Sequence, residues 1–354
     1  MPVSAPERGA PAPKACYGTA MRFLGLAVVG LVLGCSGGAS VDAGDAGVDA
    51  TSDASPPGVD AAKDGPASLD SAPPPVDGSP EGSTANGCIT DTSVGSHTIV
   101  CDGITYTVSV PPACAKGCGL VLDVHGATMD STMEDANTAM RALGAQYGFV
   151  VVQPNANPAP PTSSWNPVTD DAKVFAFLQS ALIAWTVDPK RVHMTGFSQG
   201  GMMTFRFLCA HAAVFASMAP AAGDGCTFPA NDSPSQEVPL LYMHGTKDAL
   251  IVFNVNAIPQ RNEVVTGWKM GAGQQIAGDA SYQRTRYLSP TGTPFEFLQH
   301  DYSAASLVLS GHCYPGSTDP GGATGQLFSF ACTQTTAFTW GVEVMKFFVA
   351  HPKP

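Results

Sequence analysis

Charge is scarce in this chain, and positive charge most of all. Of 354 residues, 17 are Lys or Arg and 29 are Asp or Glu, giving a formal charge of −12 at neutral pH. No cluster of Lys and Arg is present, which excludes a nucleic-acid binder that works by neutralising phosphates. No apolar run approaches the roughly 18–20 residues needed to cross a bilayer. There are ten cysteines, but no second close pair joins Cys114 and Cys118, so a zinc site lacks its ligands. Between residues 36 and 87 large apolar side chains are almost missing. That stretch cannot bury enough surface to offset the entropy of ordering, and the expectation is a disordered acidic linker. Its recurring Val-Asp-Ala and Asp-Ala-Gly pieces are low complexity, not a structural repeat.

The remainder divides around that linker. Residues 1–35 read as a leader: Met21-Arg22-Phe23 opens a short apolar and glycine-rich stretch that ends in Val32-Leu33-Gly34-Cys35. This is the pattern of a secretory h-region. Its last four residues resemble the lipobox of bacterial lipoproteins, which implies acylation at Cys35 and anchoring to a membrane. Either Met1 or Met21 could be the start. The expected location is extracellular or at the cell surface. Residues 88–354 are long enough for one large catalytic domain. Within it, Cys88, Cys101, Cys114, Cys118, Cys209, Cys226, Cys313 and Cys332 are even in number and suit disulfides in an oxidising compartment. Sequential pairing is the working choice among 105 connectivities.

Apolar patterning in 88–354 alternates strands with helices. His97–Cys101 and Ile104–Val110 flank Asp102-Gly103 as a hairpin. Short buried strands are expected at 120–124, 149–152, 191–195, 215–219 and 240–243. Later strands are expected at 282–288, 295–299 and 307–309. Helices are expected over 133–147, from Asp170 to Trp185, after residue 200, and over 336–349. This order predicts an α/β protein with a doubly wound, mainly parallel sheet flanked by helices.

Chemistry concentrates at Gly196-Phe197-Ser198-Gln199-Gly200, placed between an expected strand and an expected helix. A Ser on so tight a turn projects from the backbone, as the nucleophile of an α/β-hydrolase does. Its hydroxyl needs an imidazole to take its proton and a carboxylate to orient that imidazole. The chain order Ser, acid, His is met by Ser198, Asp248 and His312, with Asp224 as the other candidate acid and His300 as the other candidate base. The oxyanion of the reaction needs two backbone donors. Gln199 follows the nucleophile and supplies one; Ala127 or Thr128, after His125-Gly126, supplies the other, with Ala127 preferred. Trp165 is a candidate wall of the acyl pocket. Neither a metal nor an organic cofactor is expected, and the molecule is expected to be a monomer.

Several motifs occur in order: Asp123-Val124-His125-Gly126, Ser164-Trp165-Asn166, Asp188-Pro189-Lys190-Arg191-Val192, the elbow followed by Gly201-Met202-Met203, His244-Gly245-Thr246-Lys247-Asp248, and Gly311-His312-Cys313-Tyr314-Pro315-Gly316. Together they resemble the polyhydroxybutyrate-depolymerase-type esterases and the feruloyl and acetylxylan esterases of carbohydrate esterase family 1. The resemblance spans residues 104–350. It implies an α/β-hydrolase fold, a triad of Ser198, Asp248 and His312, and hydrolysis of carboxylic esters through an acyl-enzyme. The implied substrates are feruloyl or acetyl esters of plant polysaccharide, or hydroxyalkanoate esters. Two rival readings remain at this level: a serine peptidase on the same fold, and a non-catalytic binding module.

Overall fold

The computed structural model describes residues 16–19, 32–35, 87–226, 234–319 and 329–354. The chain separates into two units, residues 1–79 and 80–354. In the first, β1 (Cys16–Thr19) and β2 (Val32–Cys35) pair antiparallel. The linker expected over 36–87 lies outside the described residues up to residue 86. No helix among the described residues is long and apolar enough to cross a membrane.

The second unit is built on a ten-stranded sheet. It begins with β3 (Gly95–Cys101) and β4 (Ile104–Val110), joined through Asp102 and Gly103, both with φ positive. Two such residues make the type I′ turn whose twist matches a hairpin. Next come β5 (Gly119–Val124), α1 (Ser131–Thr138), α2 (Met140–Tyr147), β6 (Phe149–Asn155) and α3 (Asp170–Ala184). Then follow β7 (Val192–Phe197), α4 (Gln199–His211), β8 (Ser217–Ala221), β9 (Leu240–Gly245) and α5 (Ile258–Gly267). The chain closes with β10 (Gln274–Gly278), β11 (Tyr282–Leu288), β12 (Pro294–His300) and α6 (Trp340–Ala350). Across the sheet the order is β10-β11-β12-β9-β8-β7-β5-β6-β4-β3. The run from β12 to β6 is parallel, and antiparallel hairpins finish both edges. This is the doubly wound α/β-hydrolase architecture that the patterning predicts.

The central strands are buried on both faces, and their residues alternate between two cores. On β5, Leu120, Leu122 and Val124 join Phe177 and Leu178 of α3 and Phe205 and Leu208 of α4, whereas Val121 joins Met133, Met140, Val344 and Phe348 beneath α1, α2 and α6. Strand β9 repeats this, with Leu240 and Tyr242 on the first side and Leu241 and Met243 on the second. Four disulfides pair the domain cysteines sequentially: Cys88–Cys101, Cys114–Cys118, Cys209–Cys226 and Cys313–Cys332.

Four elements depart from expectation, one of them α5, for which no helix was expected over 258–267. The single helix over 133–147 is two, because Ala139 takes φ 53° and closes α1 on Asp135. A Cβ on Gly341 would sit 1.8 Å from the Thr138 carbonyl oxygen, so α6 lies directly against this break. The strand expected over 307–309 is instead a turn in which the Ser306 carbonyl accepts the amides of Leu309 and Ser310. Strand β10 was not anticipated: every residue of it is exposed, so it has no apolar alternation to read.

Candidate functional site

The carboxyl ends of β5, β7 and β9 bring the candidate residues to one edge of the sheet, where ligands gather in open α/β folds. Ser198 joins β7 to α4 with φ 54° and ψ −118°, a region an L-residue seldom occupies. The backbone is fixed on both sides: the Ser198 amide donates to the Ala221 carbonyl at 2.9 Å, and its carbonyl accepts from the Met202 amide at 2.8 Å. The turn closes this tightly because its glycines lack side chains. A Cβ on Gly200 would lie 1.9 Å from the Val124 carbonyl oxygen, and one on Gly196 would lie 2.5 Å from the Gly200 carbonyl oxygen.

Asp248 and His312 come from loops that fit backbone against backbone. The Gly311 amide donates to the Lys247 carbonyl at 3.0 Å, and Asp248 and Ser310 form an isolated antiparallel bridge. His312 Nδ1 donates to Asp248 Oδ2 at 2.7 Å. The other carboxylate oxygen accepts the amides of Leu250 and Ile251 at 2.9 and 2.8 Å. Burial pushes the Asp248 carboxyl up, but His312, His244 and the Ile251 amide together outweigh that and hold it below its ordinary value. The group is an anion, and its hydrogen bond leaves Nε2 as the basic nitrogen of His312. The His312 ring lies 4.6 Å, centroid to centroid, from the ring of Phe197, the residue before Ser198.

The alternative residues have other partners. Asp224 accepts from Asn256 Nδ2 at 2.8 Å. His300 ends β12, fully buried, and neither ring nitrogen has a hydrogen-bond partner. Burial lowers its pKa to about 3, so it is neutral.

Two backbone amides face the same region. Gln199 is the first residue of α4, so its amide belongs to the unsatisfied and partially positive end of a helix. Of the two candidates in the preceding loop, Thr128 gives its amide to the Ser163 carbonyl at 2.8 Å, which leaves Ala127. His125 fixes this loop. Its Nε2 accepts the Ala156 amide at 3.0 Å, so Nδ1 carries the proton and donates to the Gly126 carbonyl at 2.7 Å. Burial lowers its pKa to about 4 and keeps the ring neutral.

Trp165 was expected to wall a pocket. Its ring is only 5 % exposed, its indole N–H donates to the His125 carbonyl at 2.9 Å, and its amide donates to Gln199 Oε1 at 3.0 Å. In this structure it braces the 125–128 loop against the start of α4. Phe197 is likewise buried, stacked on Tyr314. On the loops that meet at the Asp248–Ser310 bridge, Leu250, Val252, Leu307 and Val308 are exposed, as are Thr246 and Lys247.

One contact was not foreseen. His244, which reads from sequence as packing beneath the site, has Nε2 3.4 Å from Asp248 Oδ2, the oxygen that also receives His312. A His four residues before the acid was the available signal. Among the described residues no group of His, Cys, Asp and Glu could hold a metal ion.

Comparison with known proteins gives esterases. A bifunctional acetylxylan esterase/xylanase of Neocallimastix patriciarum is 31% identical over 144 residues, which are 41% of this chain and 21% of that protein. Feruloyl esterase B of Piromyces equi is 26% identical over 148 residues, covering 39% of this chain and 28% of its own length. The chain therefore spans under a third of either relative. Among solved structures, an acetyl xylan esterase from Aspergillus awamori aligns with a TM-score of 0.47 at 14% identity, covering 58% of this chain and 92% of that one. No family model matches the chain.

Proposed function

We propose that this protein is a serine carboxylic-ester hydrolase that works through an acyl-enzyme. The observation that carries the reading is the buried 2.7 Å hydrogen bond from His312 to Asp248, with the His312 ring 4.6 Å from that of Phe197, which precedes a Ser held at φ 54° on a strand-to-helix turn. Asp248 holds the His312 tautomer with Nε2 unprotonated. Nε2 takes the Ser198 hydroxyl proton as Oγ attacks the ester carbonyl. The tetrahedral oxyanion is received by the amides of Gln199 and Ala127, aided by the dipole of α4. Collapse expels the alcohol, which leaves with the proton from His312. Water then attacks the acyl-enzyme, His312 takes its proton, and the carboxylic acid departs as Ser198 Oγ is reprotonated. No residue in this sequence of steps requires a cofactor.

The two esterase relatives support an acetyl or feruloyl ester of plant polysaccharide as substrate. Leu250 and Val252, exposed on the loop after Asp248, and Leu307 and Val308, exposed on the segment before His312, are consistent with an acyl group larger than acetyl, and the feruloyl ester is the first reading. A hydroxyalkanoate ester is the second reading, since the same side chains would accept an alkyl chain. Four disulfides support an extracellular setting, with Cys35 as the proposed lipid anchor and the acidic linker as its tether to a membrane.

The test is the hydrolysis rate of methyl ferulate, an acetylated xylan oligomer and a 3-hydroxybutyrate oligomer by the wild-type chain and by Ser198→Ala. The account expects turnover of at least one ester, fastest on methyl ferulate, and its loss in the variant by several orders of magnitude. Equal rates for the two proteins would remove Ser198 from the chemistry. Cleavage of the 3-hydroxybutyrate oligomer alone would select the second reading.

A further inference from the structure

The acid of the triad is held by more than its His. One oxygen of Asp248 is fixed by two backbone amides of its own loop, Leu250 and Ile251. The other, Oδ2, faces two imidazoles: His312 Nδ1 at 2.7 Å and His244 Nε2 at 3.4 Å. His244 is fully buried on β9, with Tyr242 and Phe253 against its ring.

Hydrogen-bond accounting assigns its proton. His244 Nε2 lies 2.7 Å from the Ile251 carbonyl oxygen, which can only accept, so Nε2 carries the hydrogen. Nδ1 then accepts, and it lies 3.1 Å from the Tyr242 hydroxyl, whose single hydrogen is shared between Nδ1 and the Gly223 carbonyl at 2.7 Å. The charged and titratable groups that face it are Asp248 and His312 on the two loops, Asp224 after β8, and His300 on β12. Burial outweighs the nearby carboxylates and keeps the ring neutral. The single N–H thus bonds the Ile251 carbonyl, in the loop whose amides hold the other oxygen of Asp248, while its nitrogen stands 3.4 Å from Oδ2.

Resting on the triad reading, we infer that His244 is a positioning residue that sets the rotamer of Asp248 and, through it, the orientation of His312. Without this N–H the Ile251 carbonyl loses a buried partner, and the loop whose Ile251 amide fixes Asp248 Oδ1 loses its tie to β9.

Three variants separate this role from packing. In His244→Gln the side-chain amide reaches the place of Nε2 and restores the donor. In His244→Asn it reaches only the place of Nδ1, and His244→Phe keeps the ring but no donor. Turnover of the preferred ester and thermal midpoints are measured for all three. The expected result is a kcat for Gln within about 3-fold of wild type and a fall of about 10- to 100-fold for Asn and Phe, the range for a buried acceptor left without its donor, with KM nearly unchanged. A readout independent of turnover is the downfield proton resonance of His312 Nδ1, assigned by its loss in His312→Gln. It should persist in Gln and shift upfield or broaden in Asn and Phe. The inference is overturned if Phe matches or exceeds Gln in kcat, or if the resonance is the same in all three. Should Ser198→Ala retain turnover, the Ser198 triad reading fails while the resonance still decides the role of His244.

Discussion

Replacing Ser198 by Gly should abolish turnover and yet stabilise the fold relative to Ser198→Ala. At φ 54° and ψ −118° the residue occupies a region that holds a Cβ at a cost of about 1–3 kcal/mol. It cannot relax, because its amide and carbonyl are bonded to Ala221 and Met202 at 2.9 and 2.8 Å. Alanine removes the hydroxyl and keeps the Cβ, so the strain stays. Glycine removes the Cβ and the strain, and gives back about 0.5–1 kcal/mol through the greater freedom of the unfolded chain. The balance favours glycine over alanine by about 1 kcal/mol, or about 2–4 °C in thermal midpoint for a domain of this size. Calorimetry and urea unfolding of the two variants would measure it. A glycine variant less stable than the alanine variant would refute the claim that the elbow stores strain in its nucleophile.

Other consequences follow from the same geometry. Asp248→Asn should lower kcat by roughly 10⁴ near neutral pH, because an amide can turn its N–H toward His312 and select the wrong tautomer; a loss below 10-fold in stopped-flow or steady-state assays would exclude Asp248 as the acid. Removing the Cys313–Cys332 disulfide by double Ser substitution opens a closed loop with a sequence separation of 19 residues directly after His312. It should destabilise by about 3 kcal/mol on the chain-entropy scale and lower kcat as well; an unchanged urea midpoint and kcat would contradict this. Stability should also fall on acidification. His125, His193 and His300 are neutral in the fold, with pKa values lowered by burial to about 4, about 3 and about 3, and each takes up a proton on unfolding once the pH is below about 6.5. Asp123, raised by burial to about 6, and Glu134, also raised by burial, work the other way: they hold protons in the fold that the unfolded chain releases. Three protons gained against two lost leave at least one in favour of the unfolded state, and His211 and His244, also lowered by burial, add to it. The expected slope is therefore at least about 1.4 kcal/mol lost per unit on going from roughly pH 5.5 to 4.5; urea midpoints that rise as the pH falls over that interval would show the balance to be wrong.

Much of the fold and of the candidate site was legible because burial on both sheet faces leaves a strong apolar signature. The runs at 120–124, 149–152, 191–195 and 240–243 read as central strands, and Ser198, Asp248 and His312 stand near their ends or just after turns. What was not legible depended on contacts between distant segments. The break at Ala139 answers to the close approach of Gly341 on α6, which no local pattern announces. The 307–309 segment has strand-like residues, but Ser306 folds it into a turn that leaves Leu307 and Val308 exposed. Trp165 could be placed near the site from its neighbours in sequence, whereas its role as a brace appears only with the hydrogen bonds to His125 and Gln199. The choice of Ala127 over Thr128 turns on one bond, from Thr128 to Ser163. The contact of His244 with Asp248 required the register of β9 and the path of the loop after it.

The most direct test of the central claim is labelling by a fluorophosphonate, read by intact mass and peptide mapping, across wild type, Ser198→Ala and His312→Ala. The account predicts one adduct per chain at Ser198, none in Ser198→Ala, and labelling slowed by orders of magnitude in His312→Ala because the hydroxyl has lost its base. A folded wild-type chain that turns over ester without labelling at Ser198, or labels equally fast without His312, would contradict it.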